Sequence, residues 1–310
     1  MAYQVGYFLR APESVYSVIR AALPSGMHLV TLTGPGQELE RVRELDFVIS
    51  VRMNAEVIEA GRRLRLLQLP GVGYDQVDMA AAKRVGLPVA QSLGGSSDAV
   101  AEHALMLMLA VSRRLVELAV SLRAGKWWMW ERRTVSYGLQ GKTLGIIGLG
   151  RIGSEVAVRA AGFGMTIQHH DAVPSPRYPF ADLQTLLRTS DIVSIHCPLT
   201  AETRHLLNAD RIGTMKPGAI LINTARGGIV DEAALYQALV AGHLAGAGLD
   251  VFEKEPPGID NPLLHLDQVI ATPHVSTGTF DSLRAKAAFY AENIRRVLDG
   301  KPPLGLLNVE

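Results

Sequence analysis

Cysteine is nearly absent from this chain: Cys197 is the single example in 310 residues. A lone thiol excludes an internal disulfide and any cysteine-rich zinc site. Net charge is scarce too, with 31 Lys and Arg against 30 Asp and Glu, so the composition supplies no basic footprint for nucleic acid or anionic lipid. Long apolar runs are missing. The longest helical one, Ala104 to Val111, falls far short of the roughly 20 residues that span a bilayer. The opening MAYQVGYFLRAP has no basic segment leading into an apolar core, so no secretory signal is expected. Together these absences imply a soluble, cytoplasmic protein with no nucleic-acid or membrane partner and no metal centre. The remaining composition, 48% hydrophobic and 20% charged, is that of a globular chain long enough for two domains.

The chain is organised around Thr143 to Asp171, TLGIIGLGRIGSEVAVRAAGFGMTIQHHD. An apolar run meets Gly148, Gly150 and Gly153 in the spacing G-x-G-x-x-G. A small-residue helical pattern follows, and a second apolar run ends on Asp171. Strand, glycines, helix, strand and terminal acid together describe a βαβ dinucleotide-binding unit. Gly148 turns the chain off the strand, Gly150 leaves room for a pyrophosphate, and Gly153 lets helix and sheet approach. The N-terminal N–H groups of the helix then face the phosphates. Asp171 is placed to accept hydrogen bonds from both adenosine ribose hydroxyls and to repel a 2′-phosphate. Ala172 and Val173 follow it in place of an arginine, so NAD is expected over NADP.

Before this segment, strand and helix signals alternate: YQVGYFL, a helix near Glu13 to Ala22, HLVTL, DFVIS, a helix near Ala55 to Gly61, then LRLLQL. Such alternation implies a parallel sheet covered on both faces. The turn Gly71-Val72-Gly73 leaves the last of these strands. It is either an anion nest of consecutive N–H groups or a plain connection into Asp78 and Met79. After LPVAQ, Ser97 or Asp98 is expected to cap one long helix, AVAEHALMLMLAVSRRLVELAVSLRAG, whose apolar first half must be buried between domains or subunits. Its His103 is read as structural. Three tryptophans beside Glu131, Arg132 and Arg133 make the loop GKWWMWERRTVSYGL an amphipathic surface, read as a subunit contact first and an active-site edge second.

Beyond Asp171, a proline-rich connection AVPSPRYPF leads to a helix around 181–189. The strands DIVSIH, AILINTARG, AGAGLDV and VIATPH follow, with a helix over 231–241 among them. The central region thus supplies six strands. A last helix, from Thr277 to about Leu298, is long enough to return to the first domain. Ligands of such sheets lie outside the carboxyl ends of the strands, and Arg226, Glu255 and His274 all fall there. Hydride transfer to a 2-oxo acid needs a carboxylate binder, a polarised carbonyl and a proton donor. The planar fork of Arg226 serves the first two. His274 serves the third, with Glu255 orienting its ring and stabilising its protonated form.

The runs GLGRIG with Asp171, HCPLTAETRHLLN, INTARGGIVDEAAL, GLDVFEKEPP and TPHVSTGT resemble the D-isomer-specific 2-hydroxyacid dehydrogenases, a group that includes phosphoglycerate, glyoxylate/hydroxypyruvate and D-lactate enzymes. The resemblance covers almost the whole chain, most specifically from Gly141 onward. It implies two doubly wound parallel-sheet domains of α/β class, a Rossmann NAD-binding domain over 98–278 inserted in a flavodoxin-like substrate domain of 1–97 plus 279–310. It implies a catalytic triad of Arg226, Glu255 and His274, and a substrate-carboxylate nest at Gly71, Val72 and Gly73. Arg151 and Ile152 are implied pyrophosphate contacts. Cys197, Pro198, Thr224 and Ala225 are implied as further cofactor contacts, and Asp250 as the holder of the nicotinamide carboxamide. Family members are usually homodimers. Related formate dehydrogenases carry Gln where this chain has Glu255, which argues against formate. Phosphoglycerate enzymes often add a regulatory domain after the final helix, where this chain stops. Arg52 could reach a substrate's distal group, and Arg132 and Arg133 could arrive from a neighbouring subunit. The expected substrate is a small 2-oxo or 2-hydroxy acid. The competing expectation is an NAD-sensing corepressor-like binding module.

Overall fold

The structure, a computed structural model, describes residues 2–32, 34 and 36–307. It divides into two compact units, one made of residues up to Ser96 and from Gly278 onward, the other of Ser97–Thr277. The first unit begins with β1 (Tyr3–Tyr7), α1 (Glu13–Ala22), β2 (Met27–Thr31), α2 (Glu38–Arg41) and β3 (Phe47–Ile49). It continues with α3 (Ala55–Ala60), β4 (Leu66–Gln68), α4 (Met79–Val85) and β5 (Val89–Ala90). All strand pairs are parallel, in the order β2-β1-β3-β4-β5, the flavodoxin-like doubly wound arrangement. Its inner strands read as unbroken apolar runs because both faces are covered: Phe47, Val48, Ile49, Leu66 and Leu67 are all buried.

The second unit opens with α5 (Ser97–Ser112) and α6 (Leu115–Arg123). After a stretch of turns come β6 (Thr143–Ile147), α7 (Arg151–Gly162), β7 (Thr166–His170), α8 (Leu183–Thr189) and β8 (Ile192–Ile195). Then follow α9 (Ala209–Thr214), β9 (Ala219–Asn223), α10 (Glu232–Val240), β10 (Leu244–Leu249) and β11 (Val269–Ala271). The sheet is parallel, ordered β11-β10-β9-β8-β6-β7. Outside β7, the chain adds only a single parallel bridge between His169 and Phe180. Pro174, Pro176 and Pro179 explain why no further strand forms there, since each removes a ladder donor. The strand order reverses between β6 and β8, and this reversal sets the crevice beyond their carboxyl ends.

The long helix expected after Ser97 is two helices. Arg114 stands between them at φ +53°, a left-handed conformation that costs a non-glycine residue about 1–2 kcal/mol. Its guanidinium donates to the Ala245 carbonyl at 3.2 Å, holding the break against β10. No glycine or proline marks this position. Ser97 and Asp98 sit inside the first turn of α5, not before it. The apolar face of α5 is buried within its own unit: Ala101, Ala104, Leu107, Met108 and Val111 share a core with β6, β9 and α7. No described helix is long and apolar enough to cross a membrane.

The chain ends with α11 (Phe280–Leu298), whose Thr279 side chain accepts the Ser282 N–H at 3.1 Å, so the helix begins slightly later than the sequence suggests. Ala287, Tyr290 and Ile294 pack with Val5, Phe47 and Leu66 of the first sheet. Beneath them, buried Asn293 donates to the Gln68 side chain at 2.7 Å and accepts from Leu304 N–H at 2.7 Å. Leaving one such buried amide unpaired costs about 1–3 kcal/mol, so this pairing ties α11 to β4.

Candidate functional site

The glycine turn is built by close contact. Gly148 has φ +92°, and a Cβ there would lie 2.6 Å from the backbone nitrogen of Cys197, so the loops after β6 and β8 touch. A Cβ on Gly153 would lie 2.1 Å from the Gly148 carbonyl oxygen, which holds α7 against the turn. Around Gly150, by contrast, a Cβ would meet nothing within 4 Å. That open space stands before the N-terminus of α7, which no side chain caps. Asp171 follows β7 directly, and its Oδ2 accepts the Leu149 N–H at 2.7 Å. The carboxylate is thereby fixed beside the turn. Within this unit the arrangement fits a dinucleotide: an open helix N-terminus for the pyrophosphate and an anchored acid for a ribose.

The neighbouring strand ends add polar groups that lack partners. Thr224 Oγ1 and His196 Nδ1 are buried without a hydrogen bond among the described residues. Burial pushes His196 down to about 3, so it stays neutral and supplies no proton. Burial, aided by the nearby Asp171 charge, pushes the Cys197 thiol up to about 11. Cys197 is therefore a protonated, unreactive side chain.

Arg226, Glu255 and His274 lie on three loops of the same unit. Asn223, at the end of β9, takes the Ala225 N–H on its Oδ1 at 3.0 Å and donates its Nδ2 to the Arg226 carbonyl at 2.9 Å. This local clamp shapes the loop that carries Arg226, whose guanidinium also donates to the Ala225 carbonyl at 2.8 Å. Gly227 follows because a Cβ there would sit 1.8 Å from the Phe252 carbonyl carbon. The Arg226 loop is thus pressed onto the loop leading to Glu255.

Glu255 Oε2 and His274 Nδ1 are 2.8 Å apart, and Oε1 accepts the Phe252 N–H at 3.1 Å. Burial alone would raise the Glu255 carboxyl. The hydrogen bond and charge of His274, with the Phe252 N–H and the Arg226 charge, outweigh it and hold the carboxyl below the usual range. A carboxylate can only accept, so Nδ1 carries the proton of that bond and Nε2 is the ring atom left for other chemistry. His274 has φ +53°, and its N–H is held by the Asp250 carbonyl at 2.8 Å.

Asp250, fully buried, is the centre of that loop. Its Oδ1 accepts from Thr272 Oγ1 at 2.6 Å and Val275 N–H at 2.9 Å, and its Oδ2 accepts Ser276 N–H at 2.8 Å. These bonds were not legible in the sequence, nor were Asn223 and Gly227 as loop-shaping residues.

In the first unit, the Gly71 carbonyl accepts Ser92 N–H at 3.0 Å and the Val72 carbonyl accepts Gln91 Nε2 at 2.6 Å. Among the described residues the N–H groups of Val72 and Gly73 meet no acceptor, as an anion nest requires. Asp78 caps α4 by accepting Ala81 N–H at 2.8 Å, so the turn is a helix connection as well. Arg52 is solvated, 3.9 Å from Glu38. In the tryptophan loop, the Arg132 guanidinium lies 4.5 Å from the Trp128 ring centre and bonds Glu117 of α6 at 2.6 Å. Arg133 stacks over Trp130 at 3.8 Å.

Comparison with known proteins points to one family and one fold. The family model "D-isomer specific 2-hydroxyacid dehydrogenase, NAD binding domain" matches residues 105–276. The hydroxypyruvate reductase of Thermotoga maritima is 44% identical over 266 residues, 83% of this chain and 86% of that protein. The glyoxylate reductase of Korarchaeum cryptofilum is 40% identical over 283 residues, 88% of this chain and 85% of that one. The crystal structure of the TT0316 protein from Thermus thermophilus superposes with a TM-score of 0.90 at 39% identity, covering 98% of this chain and all of the other.

Proposed function

The chain belongs to the D-isomer specific 2-hydroxyacid dehydrogenase family and is an NAD-dependent oxidoreductase, and from that premise we propose that it interconverts a small 2-oxo acid and its D-2-hydroxy acid, with glyoxylate, hydroxypyruvate or a phosphohydroxypyruvate-like compound as substrate. The observation that carries the catalytic reading is the 2.8 Å pair of His274 Nδ1 and Glu255 Oε2. With Nδ1 committed to the carboxylate, His274 Nε2 gives a proton to the carbonyl oxygen in reduction and takes it back in oxidation. Arg226 binds the substrate carboxylate and polarises the carbonyl, stabilising the negative charge that develops on oxygen. NADH, when bound, supplies the hydride.

Gly148, Gly150, Arg151, Ile152 and Gly153 hold the pyrophosphate in this reading, and Asp171 the adenosine ribose. Cys197, Pro198, Thr224 and Ala225 line the remainder of the cofactor, and the unpartnered Thr224 hydroxyl supports that placement. The resemblance alone assigns Asp250 to the nicotinamide carboxamide, since its carboxylate is fully buried and already accepts from Thr272, Val275 and Ser276. Gly71, Val72 and Gly73 serve the substrate carboxylate through backbone N–H groups.

We further propose a cytoplasmic homodimer. Leu115, Val116, Val120, Trp127, Met129 and Trp130, large apolar side chains on α6 and the loop after it, are each at least half exposed, and exposed apolar clusters of this kind mark subunit contacts. Light scattering of the purified chain should give twice the chain mass, and a single-chain mass would contradict this.

NADH oxidation against a panel of 2-oxo acids, with NADPH in parallel, tests the function. We expect the highest kcat/KM with NADH and a small 2-oxo acid. No oxidation with any member would contradict the catalytic reading.

A further inference from the structure

Helix α5 runs along strand β10 in matched steps. Four helical residues advance about 6 Å and two strand residues about 6.6 Å, so positions 103, 107 and 111 can face 250, 248 and 246 in turn. The contacts follow that register. A Cβ on Gly246 would meet Val111 Cγ1 at 2.7 Å, and one on Gly248 would meet Leu107 Cβ at 2.9 Å. At the third step His103 Nε2 stands 3.5 Å from Asp250 Oδ1 and 2.9 Å from Thr272 Oγ1. The two glycines let the helix approach, and the approach delivers a histidine to the carboxylate that holds the His274 loop.

The hydrogen bonds there have one consistent direction. Thr272 has a single hydroxyl proton, and the Asp250 carboxylate can only accept, so the Thr272 hydroxyl donates to Asp250 at 2.6 Å. Thr272 Oγ1 must then accept from His103, which fixes the His103 proton on Nε2. The chain reads His103 Nε2–H to Thr272 Oγ–H to Asp250 Oδ1. Asp250 in turn takes Val275 and Ser276 N–H on its carboxylate and His274 N–H on its carbonyl. Both flanks of His274 are therefore held by one residue. His274 itself sits at φ +53°, a conformation that persists only where its surroundings enforce it.

We propose that His103 is a positioning residue for His274, acting through Thr272 and Asp250 to hold the proton-donating ring in its working geometry. The inference rests on the catalytic role of His274 given above. It also gives α5 a part in catalysis that its apolar pattern hides.

The test uses the full chain, NADH and the best 2-oxo acid of the panel, with His103→Leu, His103→Gln and Thr272→Val. Leucine fills the space but donates nothing, whereas the glutamine amide nitrogen can replace Nε2 as donor. We expect His103→Leu and Thr272→Val to lose between about tenfold and a hundredfold in kcat, the order that a small misplacement costs. The dissociation constant for NADH, read from quenching of protein fluorescence, should stay unchanged, and His103→Gln should recover most of the lost rate. Equal losses in the leucine and glutamine variants would mean a packing role and overturn the proposal. So would a weakened NADH complex with unaltered kcat. If His103→Leu does not fold, Thr272→Val decides, and full kcat in that variant overturns the proposal. An active parent with a dead His274→Gln variant and a fully active His103→Leu variant would refute this inference alone. A parent that reduces no 2-oxo acid would refute it together with the catalytic reading.

Discussion

The turn from Gly148 to Gly153 and the loop from Thr272 to Ser276 both lie at strand ends of one sheet, yet they are built on opposite plans. The turn is local. Its three glycines, the start of α7 and Asp171 all fall within one βαβ unit, and backbone contact shapes it, Gly153 against the Gly148 carbonyl, with Gly148 also meeting Cys197 beyond β8. The His274 loop is assembled from afar, by Asp250 at the end of β10, Glu255 beyond it and His103 of α5. A local device is legible as a motif. A remote one leaves only scattered residues whose partnership the fold creates.

Perturbations should separate the two regions. The largest effect is expected from Arg226→Ala, which should lower kcat/KM for the 2-oxo acid roughly a thousandfold, the scale of truncating a charged pairing, while NADH affinity holds. An effect confined to NADH affinity would dissolve the distinction between the regions. Gly153→Ala should do the reverse. Its new Cβ must displace the Gly148 carbonyl, costing about 1–3 kcal/mol of stability and weakening NADH binding. Thermal unfolding and NADH titration read both quantities, and an unchanged NADH affinity would show that the close approach has no part in cofactor binding. Asp171→Ala should narrow the NAD-over-NADP preference by about tenfold in kcat/KM, the loss of a charged hydrogen bond and a charge repulsion. Unaltered preference would move selectivity elsewhere.

The smallest effect concerns acid stability. The Glu255 carboxyl is held below its ordinary value of 4.5, so its native interactions add stability above that pH and lose it as pH falls through the native value. Glu255→Gln should therefore unfold more easily than the parent at neutral pH, with the gap closing below the ordinary carboxylate range. A gap that stays constant with pH would mean the carboxylate's charge contributes nothing.

The sequence carried the fold well where pattern and chemistry coincide. The N-terminal alternation of strands and helices and the six central strands follow from apolar pattern, and the returning last helix from its length. It failed where tertiary contact overrides local preference. The α5–α6 break at Arg114 has no glycine or proline to announce it, and its left-handed backbone is held by the distant Ala245 carbonyl. The short helix α9 was missed because ADRIGT is too brief to show a period. In the candidate site, Arg226, Glu255 and His274 stand out in the sequence as charged or titratable residues after strand ends, and the structure pairs Glu255 with His274. Asn223 and His103 were not, since an amide or a histidine on an apolar element reads as ordinary structure until its partners are seen.

The most direct measurement is kcat of His274→Gln for the preferred 2-oxo acid, with NADH dissociation measured on the same sample. If His274 Nε2 is the proton donor, kcat should fall by about a hundredfold or more while NADH binds as in the parent. A variant that turns over at nearly the parental rate would contradict the assignment.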